Sequence, residues 1–194
     1  MGSFDPIHIG HINMIREALE WVDKVIVIPS GHNPWKDNKP APFGLRMAMI
    51  AGAIEPFGNS VEVSGIEGTF EPPFYSNKPL NYFKEKYKDD KLTIICGSDT
   101  ANKIPFWKNA VEDILPFYEI LSLEREENKS KNGFECRWAK GPDEKRYMYT
   151  HAFINPLPIS STLIRKLIKE KKNVYPLLPP GVIDIINNNN LYQD

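Results

Sequence analysis

A chain of 194 residues with 41% hydrophobic and 25% charged content can bury one ordinary core but not comfortably two, which sets the expectation of a single domain over 1–194. Its 24 basic and 25 acidic side chains leave a formal net charge of -1, so no overall field draws it to nucleic acid or to an anionic membrane, and any phosphate must be gripped locally. With two cysteines, no leader-like start and no apolar run long enough to cross a bilayer, the expected setting is the reducing cytoplasm, with a homo-oligomer left open.

The first informative stretch is "GSFDPIHIGH". Ile12, Ile15, Leu19 and Val22 then recur at helical spacing, so a helix is expected to begin between His8 and His11 and to run to about Trp21. Gly10 would weaken a helix interior and is better explained where backbone must come close to another group. A loop running into a helix start aims free N–H groups and the positive end of the helix dipole at one point, which suits phosphate, and His8 and His11 would add donors there. Taken singly, each histidine reads equally as a surface residue or a cap. The combination of Ser3, Phe4, Asp5, Pro6, His8, Gly10 and His11 is what argues for chemistry.

Farther along, "KVIVIPSG" reads as a buried parallel strand, "FGLRMAMIAGAI" as a helix and "SVEVSGIE" as a second strand. "PLNYFKEKY" (helix), "KLTIICGSD" (strand), "WKNAVEDIL" (short helix) and "FYEILSLER" (strand) continue the alternation. This pattern predicts an α/β fold, a doubly wound parallel sheet with helices on both faces, whose ligands lie beyond the carboxyl ends of strands. Residues 124–149 are dense in charge and read as a solvated excursion or loop, followed by a strand in "THAFINPLP" and a helix carrying Ile164, Leu167 and Ile168 on one side. Cys96 reads as a small core residue and Cys136 as part of the polar stretch; neither has the neighbours of a metal site.

The second informative stretch is "PISSTLIR". Ser160, Ser161 and Thr162 can cap a helix and offer donors to an anion, with Arg165 on the next turn, although a serine-rich start is ordinarily only a cap. "GSFDPIHIGH" and "ISSTLIR" together resemble the paired signatures of the HxGH nucleotidyltransferase superfamily, whose fold is Rossmann-like, and the resemblance covers nearly the whole chain. It is most similar to the bacterial-type nicotinate mononucleotide adenylyltransferases, whose glycine-x-aspartate loop is matched by "CGSD", whose following tryptophan is matched by "PFW", and whose last helix is matched by "LLPPGVIDIINNNNLY".

The resemblance implies transfer of AMP from ATP, with Mg2+, to nicotinate mononucleotide, giving nicotinate adenine dinucleotide and pyrophosphate in NAD biosynthesis. It implies that Gly2, Ser3, Phe4, His8, His11 and Ser160 meet ATP, with His11 on the α-phosphate, and that Ser161, Thr162 and Arg165 hold the departing phosphates. His8, His11 and Arg165 would be the catalytic group, Gly97 would meet ATP, and Asp99 would accept hydrogen bonds from the ATP ribose. Lys36, Arg46, Tyr75, Ser76, Trp107 and Lys108 would meet the second substrate, Trp107 by stacking on its pyridine ring. The ordinary alternatives are a helix cap for Asp99, a buried aromatic for Trp107 and solvated cations for Lys36 and Arg46.

The pattern departs from the family at Met1, which stands where the first glycine of a pair preceded by a strand belongs, and the expectation is that residues are missing before it. Trp35 replaces the usual histidine beside Lys36, and Pro79 replaces a threonine. Nicotinamide mononucleotide or phosphopantetheine adenylyltransferases and a non-catalytic nucleotide-binding module are the competing readings. The class I aminoacyl-tRNA synthetases share the letters "HIGH" but need a lysine-rich second signature that "ISSTLIR" does not supply.

Overall fold

The computed structural model describes residues 1–31, 40–71, 75–125, 133–154, 157 and 159–193. In chain order the elements are α1 (Ile9–Ala18), β1 (Val25–Val27), α2 (Phe43–Ile54), β2 (Val61–Val63), α3 (Asn77–Lys86), β3 (Leu92–Cys96), α4 (Ser98–Ala101), α5 (Ala110–Asp113), β4 (Tyr118–Arg125), β5 (Phe134–Lys140), β6 (Arg146–Ile154), α6 (Ser161–Lys169) and α7 (Pro180–Asn188). They fall into two compact units, Met1–Pro72 with Leu157–Asp194, and Pro73–Pro156. Among the described residues no helix is long and apolar enough to cross a membrane.

In the first unit β1 and β2 pair in parallel, Val25 against Val61 and Val27 against Val63, as their β-branched composition favours. The Val27 carbonyl accepts the Ser64 N–H at 2.9 Å, and the next carbonyl, Ile28, accepts the Gly2 N–H at 3.1 Å. Successive carbonyls of a strand face opposite edges, so the opening residues run along the side of β1 away from β2. Helix α2 occupies the whole span expected of it, because its buried Met49, Ile50, Ala53 and Ile54 repeat at helical spacing, and it packs on α7. Buried Val182, Ile183 and Ile186 form the inward face of α7.

The second unit is a four-stranded sheet in the order β3-β4-β6-β5, with β3, β4 and β6 parallel and β5 antiparallel to β6. Leu80, Ile94, Ile104, Ile114, Tyr118, Ile120 and Tyr149 build its core. The buried Tyr118 hydroxyl donates to the Leu80 carbonyl at 2.6 Å, and burial pushes its pKa up to about 12, so it remains a donor. The parallel α/β expectation holds. The solvated-loop expectation for 124–149 needs correction: much of that stretch is β5 and the first half of β6, a hairpin closed around Gly141–Lys145. Its charges and apolar groups alternate across a sheet rather than marking a loop, and the apolar set faces solvent, so charge density hid the period of two.

Candidate active site

The start of α1 is built around two stacked imidazoles. His8, in extended backbone conformation, is the residue before the helix, and its ring lies 3.7 Å from that of His11 at an interplanar angle of 24°. The His8 backbone N–H donates to Nδ1 of His11 at 3.3 Å, which leaves the His11 ring proton on Nε2. Burial, and then the neighbouring His8, take the His11 pKa from 6.5 down to about 3, so at neutral pH it is an uncharged N–H donor. Phe4 meets the His11 ring edge-on at 4.9 Å from a left-handed backbone with φ of 45°. Gly10 has the close approach its composition suggested: a Cβ there would stand 3.0 Å from both Cε1 and Nδ1 of His8.

The start of α6 is tied to the same loop. Ser161 Oγ donates to the Pro6 carbonyl at 2.9 Å, and Arg165 donates to the Asp5 carbonyl at 2.7 Å and to Thr162 Oγ1 at 3.3 Å. A Cβ on Gly10 would also lie 3.8 Å from the Ile159 carbonyl, so the first turn of α1 reaches the residue that leads into α6. Two helix starts, each with unsatisfied N–H groups and a partial positive charge, thus sit side by side with a guanidinium beside them, which is an arrangement for a polyanion. Ser160 caps α6 by accepting the Leu163 N–H at 3.1 Å, so its hydroxyl serves the helix and what the turn offers an anion is chiefly backbone N–H.

Asp5, named in the opening combination but given no role of its own there, is the hub that holds this loop. Its buried carboxylate accepts the Ala41 N–H at 3.0 Å and the Tyr192 hydroxyl at 2.6 Å, with the Arg165 guanidinium 3.8 Å away. Burial and then the Asp5 carboxylate raise the pKa of Tyr192, so it stays a donor. The signal in the sequence was an acid in the "SFDP" turn, but nothing local joins it to Tyr192 at the far end of the chain. Arg46 has a use other than substrate contact: it is 1% exposed and donates to the carbonyls of Ala41 (2.9 Å), Ser3 (2.8 Å) and Gly31 (3.2 Å). Burial lowers its pKa, and Asp5, Tyr192 and Glu67 oppose that effect. Lys36 and Trp35 lie outside the described residues.

Gly97, Asp99, Tyr75, Ser76, Trp107 and Lys108 belong to the second unit. Gly97 is the residue before α4 and Asp99 lies in its first turn, its Oδ1 folded back so that a Cβ on Gly97 would be 3.2 Å away. Trp107 is half-buried and packs in part against the core, and the Lys108 ammonium sits 4.3 Å over the Tyr75 ring. Ser76 precedes α3, and Pro79 falls in the first turn of that helix, where a missing N–H costs nothing. Cys96 packs against the core and burial takes its pKa up to about 12, which agrees with a structural role.

Residues 1–167 match the family model described as cytidylyltransferase-like. Among similar proteins, one from Clostridium perfringens (strain 13 / Type A), named "Probable nicotinate-nucleotide adenylyltransferase", is 35% identical over 205 residues, covering 99% of this chain and 95% of its own. One of the same name from Methylacidiphilum infernorum (isolate V4) is 33% identical over 195 residues, covering 98% and 89%. Among solved structures, the Plasmodium falciparum nicotinic acid mononucleotide adenylyltransferase complexed with NaAD superposes with a TM-score of 0.72 at 21% identity, over 98% of this chain and 94% of that one.

Proposed function

Since the chain belongs to the cytidylyltransferase-like family and, within it, to the nicotinate-nucleotide adenylyltransferases, we propose that residues 1–194 act as one catalytic domain that joins ATP and nicotinate mononucleotide. The 5′-phosphate of the mononucleotide is already an anion at neutral pH. One of its oxygens bonds to the α-phosphorus of ATP as the bond from that phosphorus to the α–β bridging oxygen breaks, giving nicotinate adenine dinucleotide and pyrophosphate. No proton need be removed from the nucleophile, so the residues have positioning and charge stabilisation to supply.

The observation that carries this reading is the joining of the α1 and α6 starts beside His8, His11 and Arg165. In the proposed roles, Nε2–H of His11 donates to an α-phosphate oxygen as charge builds there, and His8 holds that ring and adds a contact. Arg165 and the backbone N–H groups of Ser161 and Thr162 hold the β- and γ-phosphates as they leave. Gly2, Ser3 and Phe4 line the nucleotide side of the loop. Arg46 acts by positioning this loop, and Lys36 keeps its proposed place at the substrate phosphate.

On the second unit, Gly97 and Asp99 are proposed for the ATP ribose, Trp107 for the pyridine ring, and Tyr75, Ser76 and Lys108 for the nicotinate carboxylate. A site of N–H donors and a cation favours the acid over its neutral amide. Among the described residues no group of three or more His, Cys, Asp or Glu side chains could hold a metal ion. In the proposed reaction Mg2+ enters with its substrate as MgATP, held by phosphate oxygens and water.

Incubation with MgATP and nicotinate mononucleotide, with chromatographic detection of the dinucleotide and a coupled pyrophosphate assay, is expected to give both products in equal amounts. Equal or greater efficiency with nicotinamide mononucleotide would overturn the substrate assignment, and failure to form any dinucleotide would overturn adenylyl transfer.

A further inference from the structure

Strand β5 lies at one end of the order β3-β4-β6-β5, so among the described residues its far side has no neighbouring strand. Edge strands of monomeric proteins are usually short, bulged or guarded by charge. This one runs 7 residues in unbroken register with β6, from Phe134 against Ala152 to Lys140 against Arg146. It also shows solvent an apolar face: Phe134 is 62% exposed, Trp138 57%, and Met148, opposite Trp138 on β6, 58%. Cys136 lies between the two aromatics on the same face and is exposed as well.

The backbone directions of β5 are fixed by bonds just beyond its ends. Phe153 N–H donates to the Gly133 carbonyl at 3.0 Å, and Gly141 N–H donates to the Lys145 carbonyl at 2.8 Å. Odd-numbered residues therefore turn their backbone groups toward β6, and Phe134, Cys136, Trp138 and Lys140 turn theirs outward. A second copy of β5, added antiparallel, must pair even residues with even ones. Centring that pair on residue 135 opposes Glu135 to itself, and centring it on 137 opposes Arg137 to itself; like charges directly opposite are destabilising. Centring it on Cys136 sets Glu135 against Arg137 twice and Phe134 against Trp138 twice. That is the self-complementarity a two-fold interface requires.

We propose that β5 is the pairing edge of a symmetric dimer, two copies joining antiparallel about Cys136 into one continuous sheet. Glu135 and Arg137, bonded at 2.6 Å within each chain, then form a four-charge network across the two-fold axis. The Glu135 and Arg137 of opposite copies occupy the closer type of cross-strand pair. The two Cys136 residues stand directly opposite, at the Cα separation of about 5.5 Å that an antiparallel hydrogen-bonded pair gives, within the range of a disulfide.

Sedimentation of the full chain, followed by mild copper-phenanthroline oxidation, tests this. The expected result is a dimer at micromolar concentration that becomes covalent on oxidation, with Cys136→Ser abolishing the cross-link and Cys96→Ser leaving it. Arg137→Glu, which places like charges opposite each other, should weaken the dimer at least about tenfold, and the double exchange Glu135→Arg with Arg137→Glu should restore it. Circular dichroism of each variant separates this effect from unfolding. A chain that stays monomeric at high micromolar concentration, a dimer indifferent to Arg137→Glu, or one that cross-links without Cys136 would each overturn the proposal.

Discussion

A histidine that serves as an uncharged hydrogen-bond donor must be kept neutral and held in one tautomer, and His11 meets both conditions through burial, its stacked neighbour and the His8 N–H on Nδ1. Its donor should gain most when charge builds on the α-phosphate, so His11→Ala is expected to lower kcat about a hundredfold while changing the KM for ATP much less. Steady-state kinetics with both substrates checks the split. The pKa near 3 also has a stability consequence. Between about 6.5 and 3 the unfolded chain binds a proton at this position that the folded chain does not, so unfolding free energy falls as pH falls through that window. His11→Asn should flatten this part of the pH profile in urea titrations. Gly10→Ala tests the same geometry from beneath: its Cβ would stand 3.0 Å from the His8 ring, which must shift. A loss of about ten- to a hundredfold in kcat with an almost unchanged Tm is expected.

Helices α1 and α6 start in distant parts of the chain, and the bonds from Ser161 and Arg165 to the Pro6 and Asp5 carbonyls bring those starts together. Arg165→Lys replaces a planar fork with a point charge that cannot keep both the loop carbonyl and a phosphate, so the KM for ATP should rise about tenfold or more with the circular dichroism spectrum retained. Arg46→Ala has a different expected signature. One buried and two half-buried carbonyls lose their donor, so stability should fall by about 2 kcal/mol or more in denaturant titration, and Lys should not rescue it because one ammonium cannot serve three carbonyls in Arg geometry. These ties also explain what the sequence disclosed. Helix α2 was legible end to end because its burial follows a local period, and so was Ser160 as a cap, because capping is local. The role of Arg46 was not legible, since its acceptors are backbone atoms at residues 3, 31 and 41, and a carbonyl leaves no mark in the composition. Strand β5 was hidden because three of the four residues on its exposed face are apolar while Glu135 and Arg137 point the other way, the reverse of the usual pattern.

A chain of net charge -1 has no global attraction for a triphosphate, so the proposed affinity must come from groups gathered locally, and the proposed roles divide between the two units. The first unit carries the two helix starts, both histidines and Arg165, all assigned to phosphates. The second carries Tyr75, Ser76, Trp107 and Lys108, assigned to the pyridine end of the mononucleotide, with Asp99 at the ATP ribose. Phosphates are common to nicotinate and nicotinamide mononucleotide, whereas the pyridine substituent is what tells them apart. Substitutions in the first unit should therefore lower kcat/KM for both mononucleotides by the same factor. Trp107→Ala should raise the KM for nicotinate mononucleotide with little change in the KM for ATP, because a lost stacking surface is worth about 1–3 kcal/mol and touches one substrate only. Lys108→Ala should shrink the preference for the acid over the amide, because it removes a cation beside the carboxylate while leaving backbone donors in place. Measuring kcat/KM for the two mononucleotides at saturating MgATP, in wild type, Arg165→Lys and Lys108→Ala, reads the division directly. A preference ratio that moves with Arg165 and not with Lys108 would place pyridine recognition on the first unit instead.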